Sequence, residues 1–301
     1  MLAQLEHIEY DLGTKSIVPF DPNQEYFKRR EAADADRLSD ISRLVQDGAT
    51  KVLELGAAPY IVTAEFLDRG MEVTANGLPF DGVTSLMARL TVAGRVYQVP
   101  IDLFDAEMGL PYANESFDVI VAGELFEHFY RKPWYFLAES WRCLRENGQL
   151  ILTTPNGHSL STMYKFWKRG PTGHGFNPDY PSQRHAREYS VNEMERLLYS
   201  QGFSSKVWTK TYSRIERWPG LLGPVKHLVH DGVQAMAARP SGLLHDRAST
   251  ILVTARKTER LPSDPPAFMI GHGGAVGDPR TGGNFSASAV SELASSPSPT
   301  C

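Results

Sequence analysis

The spacing of apolar residues changes repeatedly along this chain, and each change marks an element. From Gln24 it is helical: YFKRREAADADRLSDISRLVQDG places Leu38, Ile41 and Leu44–Val45 on one face, and Gly48 stops the run. KVLEL (51–55) predicts a buried strand, Ile61 to Asp68 a helix closed by Gly70, and MEVTAN (71–76) a second strand. Asp81 to Leu90 reads as a short helix, RVYQVP (95–100) and FDVIVAG (117–123) as strands. PWYFLAESWRCLREN reads as a helix running to Gly148, and QLILTTP (149–155) as a fifth strand. Such alternation predicts an α/β fold, a parallel sheet with helices on both faces and ligands at the carboxyl ends of its strands.

Beyond residue 155 the rhythm loosens. Ser159 to Lys168 reads as helical and Gly170 to Arg184 as a Gly/Pro/His-rich loop. Ser190-Val-Asn-Glu has the form of a capping box, opening a helix that runs to Gln201-Gly202. SKVWTKT and STILVTARK (249–257) read as two further strands, separated by an insertion at about 213–247. The expected division is an N-terminal helical segment (1–48), a main domain (49–257) and a disordered, Pro/Gly/Ser-rich tail (258–301).

Composition narrows the class. With 301 residues, 42% of them hydrophobic and 22% charged, the chain can build one large soluble domain with additions. Its net charge of −4 gives no overall pull toward nucleic acid, so a nucleic-acid partner is not expected. Two cysteines, Cys143 and Cys301, form neither a disulfide framework nor a zinc spacing, which points to a reducing, cytoplasmic setting. The N-terminus lacks a signal-peptide pattern, and no apolar run approaches the ~20 residues needed to span a bilayer. Residues 220–236 are a candidate for contact with a membrane or a lipid-linked substrate, although packing against the domain is the simpler reading.

Candidate chemistry gathers at the strand ends. In order, the pieces resemble the class I S-adenosylmethionine-dependent methyltransferases over about Leu38 to Lys257, most strongly across ESFDVIVAGELFEHF and FLAESWRCLRENGQLILTTPN. RHAREYS (184–190) resembles members that act on glycans and other small hydroxyl substrates. The resemblance implies a Rossmann-like sheet with an antiparallel last strand, an S-adenosylmethionine cofactor, and O-methylation of a small-molecule or glycan hydroxyl. N-methylation, methylation of an RNA 2′-hydroxyl, and a non-catalytic binding protein of the same fold are the alternatives.

The family's first turn carries an acid and three alternate glycines; here those positions hold Glu54, Gly56, Ala58 and Tyr60, with Ala57 between. Glu54 is then expected to hold the donor's ammonium. Asn76 stands where an acid usually takes the ribose hydroxyls, and can accept one such bond. An ordinary Asn-Gly turn is the plain alternative. Asp105 with the Ala106 N–H is placed to meet adenine, in competition with Asp102. Gly123 closes the fourth strand. A dinucleotide dehydrogenase is disfavoured, because G-x-G-x-x-G is absent and no acid ends strand two.

Glu124, Glu127 and His128 follow at i, i+3, i+4, which a helical turn would set on one face. This E-x-x-E-H turn resembles the metal-binding turn of small-RNA 2′-O-methyltransferases and of ubiquinone-pathway O-methyltransferases. His185, ahead of Glu188-Tyr189-Ser190, resembles the later histidine of the RNA enzymes. The implied roles are His128 or His185 as base or ligand, with Glu124 and Glu127 orienting it or sharing a divalent cation such as Mg²⁺ or Mn²⁺. Many relatives carry Glu-His there without a metal. Trp134, Tyr135, Phe136 and Trp141 at helical spacing read as core. Tyr164, Phe166 and Trp167, beside Lys165, Lys168 and Arg169, read as an amphipathic lid helix or a stacking surface.

Overall fold

A computed structural model of the chain describes residues 8–11, 17–19, 37, 39–58, 60–79, 84–92, 94–168, 185–212, 246–266 and 269. The loop at 170–184, nearly all of the 213–247 insertion and most of the tail lie outside them. The strands are β1 (Ile8–Asp11), β2 (Ile17–Pro19), β3 (Lys51–Leu55), β4 (Glu72–Gly77), β5 (Ser85–Val92), β6 (Arg95–Leu103), β7 (Phe117–Gly123), β8 (Leu144–Pro155), β9 (Phe203–Lys210) and β10 (Thr250–Lys257). They form one sheet in the order β2-β1-β5-β6-β4-β3-β7-β8-β10-β9. From β6 to β8 every pairing is parallel, and β10 closes antiparallel between β8 and β9. Between the strands run α1 (Ile61–Asp68), α2 (Pro133–Cys143), α3 (Leu160–Trp167) and α4 (Val191–Ser200).

The central strands are buried on both faces, as parallel strands between helices must be. In β3, Val52 joins a cluster with Ile41, Phe66, Val73 and Val121, while Leu53 and Leu55 join Ile120, Phe136, Leu150 and Leu197 on the other face. Strand alternation therefore sends Glu54 to the Val52 face, beneath α1. The capping box forms as expected: Glu193 N donates to Ser190 Oγ at 3.3 Å, and Ser190 N donates to Glu193 Oε2 at 2.9 Å. Phe136 is fully buried, and Trp134 and Trp141 pack at the edge of the second cluster.

Four expectations change. The stretch 81–90, which the spacing predicts as a helix, is described from residue 84, and Ser85–Val92 forms β5 instead. Leu86, Ala88, Leu90 and Val92 are buried in alternation, so the operative period is two, and β5 pairs antiparallel with β6. The predicted helix from Pro133 ends at Cys143, where Leu144 turns extended and begins β8. The N-terminal segment, expected to be helical, supplies β1 and β2, with helix described at 39–44. Part of the expected tail is fixed: Trp141 Nε1 donates to Thr258 O at 3.1 Å, and Ser263 N donates to Ser200 O at 2.9 Å. Gly202 permits that approach, since a Cβ there would lie 2.3 Å from Arg260 O. Among the described residues no helix is long and apolar enough to cross a membrane.

Candidate active site

The carboxyl ends of β3, β4, β6 and β7 meet at one edge of the sheet. After β3 the chain reverses through Gly56 (φ 66°) and reaches α1 through Tyr60, the N-cap, itself left-handed at φ 65°. A tyrosine in that region costs roughly 1–2 kcal/mol, which explains a preference for glycine there. Burial offsets the cost: Tyr60 is 4% exposed, within the apolar cluster that holds Ile61 and Ala64. The turn is tied by Tyr60 N donating to Ala57 O at 2.6 Å and Ala57 N donating to Asn76 O at 3.0 Å. Ala58 is exposed. Glu54 is buried and accepts a short hydrogen bond from Thr63 Oγ1. Burial pushes its carboxyl up to about 8, against the pull of Thr63, so at neutral pH it holds a proton.

Asn76 is turned inward. Its Nδ2 lies within hydrogen-bonding distance of Gly77 O, Asp102 O and Phe104 O, at 2.9, 3.0 and 3.1 Å, and its Oδ1 accepts from Gly56 N at 3.4 Å. It clamps three strand ends together, leaving one carbonyl lone pair for a ligand. Asp102 accepts from Tyr112 Oη at 2.7 Å. Asp105 caps the short 3₁₀ turn Ala106–Met108 with one oxygen, accepting from Glu107 N at 3.0 Å, and Ala106 is buried beneath it. Gly123 pairs with Thr153 at the end of β7.

The turn after β7 is tight. Glu124 has φ 51°, outside the 3₁₀ turn Phe126–His128, so the expected single helical face does not form. Glu124 instead pairs with buried Arg37 at 2.9 Å. Glu127 is fully buried, with Oε2 accepting from Thr154 Oγ1 at 3.0 Å. Its Oε1 has no hydrogen-bond donor among the described residues and lies 4.0 Å from His128 Nε2 and 3.9 Å from His185 Nε2. The imidazoles meet edge to face, 5.1 Å between centroids, and His185 Nδ1 lies 3.5 Å from Glu188 Oε1. His185 arrives because Glu127 O accepts from Ala186 N and Arg187 N at 2.7 and 3.2 Å.

Three of the four expected metal or base residues therefore converge, with ligand atoms within 4.8 Å of one another, and Glu124 stands apart. Burial raises the Glu127 carboxyl to about 7, with Thr154 and Arg37 pulling it down and Glu188 pushing it up. The cluster can take up or pass on a proton near neutrality. Sequence reasoning missed Arg37, Thr63, Thr154 and the contact of Glu188 with His185. Arg37 left a signal, since it stands four residues before Ile41 on the same helical stripe.

Because the folded-state value of Glu127 lies above its ordinary 4.5, its ionisation is disfavoured in the native chain. Stability from this group is full below pH 4.5, falls as pH rises to about 7, and then levels off. Glu127→Gln is expected to raise the melting temperature at pH 8 while leaving it nearly unchanged at pH 4.5. The gain is on the order of 3 kcal/mol, checked by thermal unfolding at both pH values.

Residues 53–152 match a family described as a methyltransferase domain, a span that runs from β3 through most of β8. The chain is also similar to solved S-adenosylmethionine-dependent methyltransferases. One is from Archaeoglobus fulgidus, at 14% identity over 78% of this chain and 100% of that one, with a TM-score of 0.49. Another is from Mesorhizobium loti, at 13% identity over 76% and 100%, with a TM-score of 0.49. A phosphoethanolamine N-methyltransferase of Haemonchus contortus, solved with S-adenosylhomocysteine, matches at 14% identity over 86% and 69%, TM-score 0.49. A search of curated proteins found no match. The matched domain and the strand order together make this the Rossmann-like class I methyltransferase fold.

Proposed function

We propose that the chain is an S-adenosylmethionine-dependent methyltransferase that O-methylates a hydroxyl of a glycan or small molecule. The observation that carries the hydroxyl reading is the Glu127–His128–His185 cluster at the end of β7, next to the β3 turn. The two turns touch, since the Leu125 side chain packs over Gly56. A hydroxyl must lose its proton as the new bond forms, whereas a neutral amine can attack first, so a paired-imidazole base suits O-methylation.

The residues at the sheet edge fit the donor. Glu54 is a buried carboxyl that needs a cation to ionise, which the ammonium of the donor's methionine part provides. Asp105 keeps one oxygen beyond its capping bond for adenine, as Asp102 does beyond the bond it accepts from Tyr112, so the two compete for that role. Asn76 offers its remaining lone pair to the ribose. The donor supplies a methyl on a sulfonium; the chain positions both reactants in line and removes the acceptor's proton. His185 or His128 accepts that proton, and buried Glu127 stabilises the imidazolium that forms. The test is transfer of labelled methyl from S-adenosylmethionine to a panel of hydroxyl- and amine-bearing glycans and small molecules. Label confined to amines would overturn the O-methyl reading.

A second reading is favoured by Glu127 Oε1, undonated among the described residues, facing two imidazole nitrogens: those three groups would hold a divalent ion, which would lower the acceptor hydroxyl's pKa. Dialysis against EDTA separates the two. Full turnover by metal-free protein would eliminate the ion.

A further inference from the structure

Helix α3 presents its apolar side to solvent. Leu160, Met163, Tyr164 and Trp167 follow i, i+3, i+4, i+7, the spacing of a stripe that normally faces a core. Here no side chain of the helix is buried, and Met163, Tyr164, Phe166 and Trp167 are 49%, 58%, 77% and 75% exposed. The start of the helix is held: Ser159 caps it, with Thr162 N donating to Ser159 Oγ at 3.2 Å, and Leu160 N donates to Arg247 O at 2.9 Å. The outward face thus belongs to a helix anchored to the end of the sheet.

The charges around the stripe have one sign. Residues 158–169 contain Lys165, Lys168 and Arg169 and no Asp or Glu, within a chain of net charge −4. Lys168 Nζ lies 5.4 Å from the Trp167 ring centroid and 5.9 Å from that of Tyr164. Trp167 and Tyr164 on one side with Lys168 at its flank are what a helix lying in the headgroup region of a bilayer requires. A second copy of the chain is a poorer occupant, because a self-paired face would set these cations against themselves.

We propose that α3 docks the chain on an anionic lipid surface, its aromatic stripe in the headgroup layer and its lysines against lipid phosphates. The helix leaves the carboxyl end of β8 just after Asn156, which bridges to Tyr189 beside Glu188, so docking would set the candidate site next to the lipid surface. The proposal does not depend on the activity.

Flotation of the full chain with phosphatidylcholine vesicles, with and without phosphatidylglycerol, tests it. The expected result is co-flotation with phosphatidylglycerol-containing vesicles, release by high salt, and little flotation with phosphatidylcholine alone. The double variant Phe166→Ser/Trp167→Ser should lose about ten-fold or more of the binding, since each ring removed from water contributes at least that order. These side chains are exposed, so the circular dichroism spectrum should be unchanged. Lys165→Glu/Lys168→Glu should lose the preference for phosphatidylglycerol. Absence of flotation, or equal flotation of the aromatic variant, would overturn the proposal. So would a dimer in sedimentation that the aromatic variant abolishes without any vesicle binding, which would give the face to a second copy.

Discussion

Glu54→Gln is expected to weaken S-adenosylmethionine binding by roughly 10- to 100-fold, the worth of one hydrogen bond to a charged group. Burial holds the free carboxyl protonated up to about pH 8, so ligation of an ammonium forces its ionisation and releases a proton at neutral pH. Donor affinity of the parent chain should therefore rise as pH increases toward 8 and then flatten. Binding enthalpy at pH 7 should also change with the ionisation enthalpy of the buffer. Glutamine keeps the shape of the protonated acid and cannot ionise, so the variant should lose both dependences. Calorimetry in two buffers across this range checks it; identical behaviour of variant and parent would remove Glu54 from the donor site.

The second large effect concerns the histidines. His185→Ala and His128→Ala are expected to separate the base from its neighbour: loss of the base should lower kcat by roughly 10²–10⁴-fold with donor affinity unchanged. The group that accepts the proton must first be free of one, and it shares its surroundings with Glu127, whose carboxyl is raised to about 7. The rate should thus climb through neutral pH with an apparent value belonging to the cluster as a whole. In Glu127→Gln that climb should shift while donor binding holds. Full turnover by both histidine variants would refute the assignment.

Much of this site is visible in the strand pattern. The run KVLEL fixes β3, and alternation along it sends Glu54 toward α1. The apolar periods of β7 and β8 set the turn of Glu127 and His128 at the same edge. What failed did so for physical reasons. Val83, Leu86, Met87 and Leu90 match a helical spacing while Leu86, Ala88, Leu90 and Val92 alternate, so the stretch carries both periods and its pairing with β6 selects the second. Asn76 is drawn inward by carbonyls of Gly77, Asp102 and Phe104, two of which come from a region far along the chain. Spacing groups Glu124 with Glu127, but a left-handed residue and a 3₁₀ turn send it to Arg37. His185, 57 residues beyond His128, joins the cluster through hydrogen bonds to the Glu127 carbonyl, which no local pattern encodes.

The altered first turn bears most directly on the central claim, because Ala58 and Tyr60 replace two glycines where the donor must approach. Calorimetric titration of the full chain with S-adenosylmethionine tests it: one site per chain with a Kd in the micromolar range is the predicted result. No heat of binding at millimolar concentration would contradict it, and would mean that the turn built around Tyr60 no longer admits the donor.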